Sequence, residues 1–247
     1  MNNINDTFFD GHYKEIWKAM IPDELTRREI DFMIPYFGLQ PESRVLDLMC
    51  GYGRHTLALS RKGVQVTAVD NLGAYIDEIR EAATNENLPV TLVCGSVLDF
   101  YPEGQYDLTI CMGNSLNFFD PPSVGKLFSM ISSSLKQGGS LLVNSWSLAE
   151  IIYKNFRERG WSRIGELKFL TESAILFQPT RMETESRIQS PDGKEEIKKG
   201  IDYIYSLNEM ESMLAGAGLR LREVFSIPGK KPFAVGEPRA YLVAEKS

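Results

Sequence analysis

The sequence is poor in cysteine and histidine, which limits its chemistry. Its three cysteines, Cys50, Cys94 and Cys111, form no C-x-x-C pair, so the pattern supports neither a disulfide framework nor a zinc site. No stretch approaches about 18 apolar residues, and the first residues lack the basic segment and apolar run of a signal peptide. The sequence therefore predicts a cytoplasmic protein, without a metal, that does not enter a membrane.

The chain also lacks an excess of positive charge. Its 247 residues carry 27 Lys and Arg against 33 Asp and Glu, a formal net charge of -6. Binding to nucleic acid relies on Lys and Arg to release counterions from the phosphates, so we expect a small-molecule substrate and no nucleic-acid partner. With 43% hydrophobic residues, the chain can bury an α/β core as one domain with elaborations.

Short β-rich runs alternate with amphipathic helical ones between residues 44 and 147. This alternation predicts an α/β fold, a mostly parallel sheet with helices on both faces. The predicted strands cover residues 44–48, 64–69, 90–94, 107–111 and 140–144. The helix that starts at Asp120 is expected to end at Gly138-Gly139.

Two regions depart from the alternation. Residues 1–40 contain aromatic-rich helical segments broken by Pro22 and Pro35, which predicts an N-terminal helical lid. Residues 150–205 change to strand-like alternation with a turn at 191–193, which predicts an inserted antiparallel β element over the active site. Residues 41–149 and 206–247 are then expected to form the core.

The most informative segment is V-L-D-L-M-C-G-Y-G-R-H at residues 45–55. It places Asp47 at the end of a strand, before Gly51 and Gly53, which let the backbone turn sharply and approach a ligand. Asp70 ends the next predicted strand, where a carboxylate can accept both hydrogen bonds from a ribose diol. Because open α/β sheets bind ligands beyond the carboxyl ends of their strands, this pattern predicts a nucleoside site.

Other enzyme classes fit these motifs less well. A dinucleotide site favours G-x-G-x-x-G, but Thr56 holds the third glycine position, and no Tyr has a Lys four residues later as a short-chain dehydrogenase would. A hydrolase elbow needs G-x-S-x-G, but Asn117 holds the last position after Ser115, and both histidines precede that serine. The hydrolase is discarded, and an NAD-dependent oxidoreductase stays as an alternative.

The segment from Val45 to Asp70 resembles motif I and the following acidic motif of class I methyltransferases that use S-adenosylmethionine (SAM), with Met49 in place of the usual first glycine. Residues 94–97, 106–114 and 138–144 are similar to that family's adenine loop, fourth strand and fifth strand. More narrowly, the chain resembles small-molecule N- and O-methyltransferases with a β insert after strand 5. The resemblance implies a Rossmann-like seven-stranded sheet in the order 3-2-1-4-5-7-6, with strand 7 antiparallel.

The resemblance also implies a set of residues that contact SAM, with no metal. Asp47 is expected to meet the α-amino group of the methionine moiety, and Asp70 the ribose. Ser96 stands where the family often has Asp. The implied cofactor-binding residues are Asp47, Met49, Cys50, Gly51, Gly53, Asp70, Asn71, Leu72, Ser96, Val97, Cys111, Met112 and Gly113.

The candidate catalytic residues are His55, Asn114 and Tyr13. His55 begins a helix, where a neutral imidazole acts either as a base or as a structural hydrogen-bonding group. Asn114 either orients the acceptor or bonds the backbone of its own turn. Tyr13 and Trp17 lie four residues apart on a predicted helix, so they either pack in the core or form an aromatic lid over sulfonium and substrate. The candidate substrate-binding residues are Tyr13, Trp17, Trp146 and Arg239.

These patterns predict an enzyme that transfers the methyl group of SAM to a nitrogen or oxygen of a small molecule and releases S-adenosyl-L-homocysteine. A non-catalytic SAM-binding or regulatory protein is the alternative, since cofactor motifs report binding and not turnover. The [DNS]-P-P-[YF] motif of amide and nucleobase methylation does not follow strand 4, where Met112 to Ser115 stand. We expect a monomer or homodimer that acts on a small-molecule acceptor.

Overall fold

The computed structural model describes residues 3–246, which form an eight-stranded sheet and a separate four-stranded antiparallel sheet. The helices are α1 (His12–Met20), α2 (Asp23–Tyr36), α3 (Arg54–Ser60), α4 (Gly73–Glu86), α5 (Pro121–Ser134), α6 (Ala149–Asn155) and α7 (Leu207–Gly216). The strands are β1 (Arg44–Leu48), β2 (Gln65–Asp70), β3 (Val90–Cys94), β4 (Tyr106–Cys111), β5 (Leu135–Ser145), β6 (Arg159–Ile164), β7 (Leu167–Leu176), β8 (Arg181–Gln189), β9 (Glu195–Tyr203), β10 (Leu219–Ile227), β11 (Lys231–Pro232) and β12 (Ala240–Lys246). None of the helices between residues 3 and 246 is long and apolar enough to cross a membrane.

The eight-stranded sheet runs in the order β11-β10-β12-β5-β4-β1-β2-β3. Strands β1 to β5 are parallel to their neighbours among themselves, and β12 is antiparallel to both β5 and β10. With β12 as strand 7 and β10 as strand 6, the expected order is present and the fold class is confirmed. The sheet has eight strands rather than seven because the two-residue strand β11 pairs with β10 at one edge.

Both faces of this sheet are buried, which explains why the sequences of its central strands are short apolar runs. On one face, α2, α3 and α4 contribute apolar side chains such as Met33, Leu59 and Ile79. On the other face, α5 and α7 contribute Phe128 and Leu214. The two cores leave the carboxyl ends of the parallel strands uncovered by these helices.

The four-stranded sheet consists of β6 to β9, each antiparallel to the next, and the turn at 191–193 joins β8 to β9. α1 packs on this sheet through Ile16, in a small core with Leu167 and Ile188. The side chain of Asn5 binds the backbone of Ile201 in β9, donating and accepting one hydrogen bond at 2.9 Å each. Residues 3–20 and 159–203 therefore form one contiguous layer, called the cover below.

The predicted end of α5 is wrong. This helix stops before Gly138-Gly139 because Leu135 already pairs with Tyr106 as the first residue of β5. Regular pairing with β4 resumes only at Ser140, so residues 136–139 form a bulge inside the strand. Gly138 has a φ of +72°, a conformation that favours glycine, so the glycine pair serves the bulge and not a helix end.

The predicted break at Pro35 is also wrong, whereas Pro22 separates α1 from α2 as expected. Pro35 is the penultimate residue of α2. A proline removes one backbone N–H and crowds the carbonyl four residues earlier, so at this position it disturbs the last turn alone. The helix ends one residue later, at Tyr36.

We expect glycine-to-alanine substitutions at two nearby positions to change stability in opposite directions. A Cβ atom at Gly139 would lie 2.9 Å from the carbonyl oxygen of Lys136 and 3.1 Å from that of Tyr106. Because backbone atoms do not move aside readily, Gly139→Ala should lower the free energy of unfolding by about 1–3 kcal/mol. A Cβ atom at Gly125, inside α5, would meet nothing within 4 Å, so Gly125→Ala should raise it by about 0.5–1 kcal/mol. Urea unfolding followed by circular dichroism measures both, and equal effects would contradict the bulge.

Candidate active site

The carboxyl ends of β1 to β4 open into one cleft beneath the cover. The cleft has a volume of about 1020 Å³, which includes the open space at its mouth. Four segments of the main sheet line it, at 47–55, 70–72, 95–98 and 112–119, and the cover closes it with Asn3, Asn5, Asp6, Phe9 and Trp17. This is the position at which open α/β sheets bind their ligands.

The loop after β1 has left-handed backbone at three residues. Met49, Gly51 and Gly53 have φ values of +55°, +56° and +77°. At Met49 this conformation costs about 1–2 kcal/mol, since a side chain crowds the backbone there. The Met49 side chain lines the cleft. At Gly53 a Cβ atom would lie 2.5 Å from Ile79, so this glycine permits the contact between α3 and α4.

Asp70 ends β2 and fixes the two loops beside it. Its Oδ2 accepts a hydrogen bond from the amide of Gly51 at 2.8 Å, and its Oδ1 accepts one from the amide of Leu72 at 2.9 Å. Burial raises the pKa of Asp70, although these backbone N–H groups oppose the rise. Each oxygen keeps a second lone pair, and the side chain lines the cleft, so Asp70 can accept further hydrogen bonds from a diol.

Asp47 lies at the floor of the cleft, 1% exposed. Its Oδ2 accepts a hydrogen bond from the hydroxyl of Thr56 at 2.6 Å. Burial raises the pKa of Asp47 to about 7, against the opposing bond from Thr56 and with a smaller contribution from Asp70. The sequence predicted no partner for Thr56. A cationic ligand group beside Asp47 would stabilise its ionised carboxylate.

A second buried carboxylate, Glu29 of α2, connects three elements behind the cleft. Its Oε2 accepts hydrogen bonds from Arg54 and from Nε2 of His55, the latter at 2.8 Å, and its Oε1 accepts one from the hydroxyl of Tyr241 at 2.7 Å. Burial would raise the pKa of Glu29, but His55 and Arg54 outweigh it and hold the pKa at about 2. Sequence reasoning missed Glu29, because it is one of several acidic residues on α2 and belongs to no motif.

His55, in the first turn of α3, is held by this network. Burial, together with the neighbouring Arg54, lowers the pKa of His55 to about 4, so its imidazole is neutral at pH 7. A neutral ring that contacts the Glu29 carboxylate through Nε2 carries its proton on that nitrogen. The side chain lines the cleft. The contact with Glu29 favours the structural role of His55, and its role as a base stays a prediction.

Asn114 follows β4 and connects the main sheet with the cover. It has a φ of +68° and is 1% exposed. Its Nδ2 donates to the hydroxyl of Ser147 at 2.9 Å and to Asp202 at 2.7 Å, and its Oδ1 accepts from the amides of Trp146 and Ser147 at 2.9 and 3.0 Å. Both ends of the amide are occupied, and Asn114 does not line the cleft. These bonds favour a role in joining β4, β5 and β9 over direct contact with an acceptor.

Two aromatic residues of α1 divide between the cleft and the inserted sheet. Trp17 lies over Gly113, where a Cβ atom would be 3.4 Å from the Trp17 ring, and its ring centroid is 5.7 Å from that of Trp146. Tyr13, one turn earlier, lies 5.8 Å from Phe169 of β7 and does not line the cleft. Trp17 therefore occupies the position expected of a lid residue, and Tyr13 packs against the insert.

The cleft brings together most of the residues implied to bind the cofactor. Those that line it are Asp47, Met49, Cys50, Gly51, Asp70, Asn71, Leu72, Ser96, Val97, Met112 and Gly113. Gly53 and Cys111 do not, because Gly53 faces α4 and Cys111 belongs to the apolar core around β4. Of the candidate catalytic and substrate residues, His55 and Trp17 line the cleft. Arg239 lies instead near Tyr241. Burial raises the pKa of the Tyr241 phenol, and Arg239 opposes this rise.

Several residues of the cleft were not among the predicted site residues. They are Asn3, Asn5, Asp6, Phe9, Tyr52, Arg54, Tyr75, Gly95, Leu98, Ser115, Phe118 and Phe119. Asp6, for example, is fixed there by a hydrogen bond that its carboxylate accepts from Asn71 at 3.0 Å. Between residues 3 and 246, no group of three or more His, Cys, Asp or Glu side chains is arranged to hold a metal ion.

Comparison with known sequences identifies the domain. Residues 45–139 match the methyltransferase domain family. The carboxy-S-adenosyl-L-methionine synthase of Yersinia enterocolitica is 27% identical over 151 residues, which cover 57% of this chain and 56% of that protein. The match thus spans little more than half the length of this curated relative.

Solved methyltransferase structures share the fold of almost the whole chain. The CcbJ methyltransferase of Streptomyces caelestis has a TM-score of 0.80 at 19% identity, covering 93% of this chain and 98% of that one. SAM-bound CalS10 of Micromonospora echinaspora, an amino pentose methyltransferase involved in calicheamicin biosynthesis, has a TM-score of 0.71 at 18% identity, covering 96% and 98%. The fold and the matched segment define a methyltransferase domain with an inserted β-sheet. Residues 45–139 thus match the methyltransferase domain family, and the chain has the fold of solved SAM-dependent methyltransferases.

Glu29→Gln should destabilise the folded protein by about 3–5 kcal/mol, because it leaves the Arg54 guanidinium beside a neutral group in a buried site. The matched control is Glu86→Gln, which removes the partner of Arg61 at the surface and should have a much smaller effect. Urea unfolding at pH 7 measures both. Equal losses for the two substitutions would contradict the role given to Glu29.

The loss caused by Glu29→Gln should also depend on pH. The folded-state pKa of Glu29, about 2, lies below its ordinary value of 4.5, so the stabilisation is fully present above pH 4.5 and is lost as the pH falls towards 2. Unfolding free energies of the two proteins, measured from pH 7 to pH 3, should therefore converge below pH 4.5. A difference that stays constant over this range would show that the charge of Glu29 does not matter.

Proposed function

We propose that this chain binds SAM in the cleft and transfers its methyl group to a nitrogen or oxygen of a small molecule. The observation that carries the proposal is the pair of buried carboxylates, Asp47 and Asp70, at the ends of β1 and β2 beside the glycine loop. A nucleoside with a cationic tail suits both, with its ribose diol at Asp70 and its α-amino group at Asp47. A dinucleotide would instead bring negative phosphates towards Asp47, which would repel them.

The remaining walls of the cleft suit the same ligand. The loop with Ser96 and Val97 follows β3, beyond Asp70, and offers a place for the adenine ring. Met112 and Gly113 follow β4, on the other side of β1, and offer a place for the methionine end. Because the strands lie in the order β4-β1-β2-β3, methionine, ribose and adenine would lie in a row across the sheet.

The cover supports a small acceptor. Trp17 lies directly over Gly113, so a methyl group held at that end of the cleft would face the aromatic residues of the cover. Aromatic faces attract a sulfonium charge. The sulfonium is already a good electrophile, so the main task of the protein is to align donor and acceptor away from water, which contributes about 7–11 kcal/mol. CalS10 is described as an amino pentose methyltransferase, which agrees with a small-molecule acceptor.

The proposal is tested by calorimetric titration with SAM and with NADH, followed by a methyl-transfer screen over amines, aminosugars and hydroxylated metabolites. We expect SAM to bind, NADH not to bind, and at least one acceptor to be methylated. Tight NADH binding without SAM binding would overturn the proposal. SAM binding without turnover of any acceptor would support a regulatory, non-catalytic protein instead.

Asp70→Asn should weaken SAM binding by about 1.5–3 kcal/mol, since it removes charge-assisted hydrogen bonds to the ribose. Asparagine keeps one oxygen for a backbone N–H group, so the loops at Gly51 and Leu72 lose less than they would with alanine. Asp77→Asn, at an exposed position on α4, is the control for the loss of one negative charge. Calorimetry measures the dissociation constants, and an unchanged affinity in Asp70→Asn would refute the ribose contact.

The affinity for SAM should rise with pH through neutrality. Burial raises the pKa of Asp47 to about 7, so this carboxylate is mostly ionised at pH 8 and mostly protonated at pH 6. If the ionised form binds the α-amino group, the dissociation constant should be about tenfold larger at pH 6 than at pH 8. Asp47→Asn should abolish this dependence, and Thr56→Val should move its midpoint to higher pH. A wild-type affinity that is flat over this range would contradict the contact.

A further inference from the structure

Asp202 of β9 is a carboxylate on the cover side of Asn114 that the proposed binding of SAM does not use. The residue is partly exposed, and its Oδ2 is not among the buried polar atoms of residues 3–246. Burial raises the pKa of Asp202 to about 7, because a charge there has little contact with solvent.

The carboxylate of Asp202 is oriented by the protein, but its charge lacks a cationic partner. Oδ1 accepts hydrogen bonds from Nδ2 of Asn114 at 2.7 Å and from the hydroxyl of Ser147 at 3.4 Å. Among residues 3–246, no group donates to Oδ2, and no Lys, Arg or His forms an ion pair with Asp202. A partly buried charge without a counterion is costly, so a cationic ligand would stabilise this site.

The aromatic residues near Asp202 are also suited to a cation. Burial raises the pKa of Tyr13, and Asp202 is close enough to add to this rise through its charge. Trp146 directly precedes Ser147, and its ring lies 5.7 Å from that of Trp17. Ammonium groups are attracted to such rings within about 6 Å of the centroid. Asn114 thus connects Asp202 with the segment that carries Trp146.

Asn114 also connects Asp202 with the end of the cleft proposed to hold methionine. Its neighbour Gly113 lines the cleft beneath Trp17, while its side-chain amide donates to Asp202. One side chain therefore separates the free carboxylate oxygen from the residues placed around the methyl donor. An acceptor bound at Asp202 would lie on the insert side of the donor.

We propose that Asp202 binds the methyl acceptor, and that the acceptor is an amine held as an ammonium ion at Oδ2, with Tyr13, Trp17 and Trp146 around it. This inference rests on the proposed methyl transfer and narrows its acceptor atom from nitrogen or oxygen to nitrogen. A neutral alcohol would leave the carboxylate without a counterion, whereas an ammonium ion supplies one and donates to the free oxygen.

Asp202 also accepts the proton that the amine must lose before methyl transfer. The bound ammonium ion passes one proton to Oδ2 of Asp202, which leaves a neutral amine with a free lone pair. That lone pair forms the new N–C bond as the C–S bond of the donor breaks, and the electron pair of the broken bond stays on sulfur. The products are a methylated ammonium ion and S-adenosyl-L-homocysteine, and Asp202 returns its proton to solvent.

A fluorescence titration tests the preference for a cation without altering Asp202. Trp161 is 68% exposed on the outside of the insert, so Trp161→Phe leaves Trp17 and Trp146 as the reporters among the three tryptophans of the chain. This protein, saturated with S-adenosyl-L-homocysteine, is titrated with cyclohexylamine and with its neutral analogue cyclohexanol. We expect the amine to bind at least about tenfold more tightly, as a charge-assisted contact would require.

Substitution of Asp202 then tests the residue itself. Asp202→Asn should abolish the preference for the amine and lower kcat/KM for amine methylation by at least about 100-fold, since it removes one partner of a partly buried ion pair. Its affinity for SAM should change by less than about twofold, because Asp202 does not line the cleft. Asp192→Asn, at the exposed β8–β9 turn, is the matched control and should behave as wild type.

The outcomes separate this inference from the proposed function. Equal binding of amine and alcohol, no binding of the amine, or normal amine methylation by Asp202→Asn would each overturn the role of Asp202. Methylation of alcohols but not amines would leave methyl transfer intact and refute the amine acceptor. If SAM itself does not bind, the proposed function fails. If Asp202→Asn does not fold, the titration of the Trp161→Phe protein decides alone.

Discussion

The side chain of Asn114 joins the parts of the chain that form the site. Its amide bonds the backbone after β5 on one side and the Asp202 carboxylate of β9 on the other, and Gly113 beside it lines the cleft under Trp17. An amide is suited to this junction because it donates and accepts at once, without a charge that would have to be neutralised in a buried position. It thereby connects the insert with the Gly113 end of the cleft.

The buried carboxylates of this protein divide into two kinds, and the direction of their pKa shifts separates them. Glu29 has a cationic partner in Arg54 and further donors in His55 and Tyr241, so its pKa is lowered and its charge supports the fold. For Asp47, Asp70 and Asp202, burial outweighs the hydrogen bonds present, and the pKa is raised. Groups of the second kind gain most from a ligand that brings positive charge or additional donors.

The sequence was informative where local pattern decides structure and uninformative where distant residues meet. Strands β1 to β5 were predictable because strands buried on both faces read as short apolar runs between turn residues, and the loop at Gly51 because its backbone requires glycine. The bulge at 136–139 was not predictable, because a glycine pair after a helical pattern is equally typical of a helix end. In the site, Asp47 and Asp70 were predictable because each lies at the carboxyl end of a strand. Glu29 and Asp202 acquire their roles through contacts with Arg54 and Asn114, which are far away in sequence.

The place of β12 in the sheet constrains the order in which the protein can assemble. β12 follows β10 in the chain but lies between β10 and β5, so until β12 is present β10 can pair only with the two-residue strand β11. Tyr241, which donates to Glu29, belongs to the same strand. During synthesis on the ribosome, β10 and the Glu29 network must therefore wait for β12 to emerge. A nascent chain that already contains the whole methyltransferase motif at 45–139 would still expose an unpaired sheet edge at β5, and it would need protection from association with other chains at that stage.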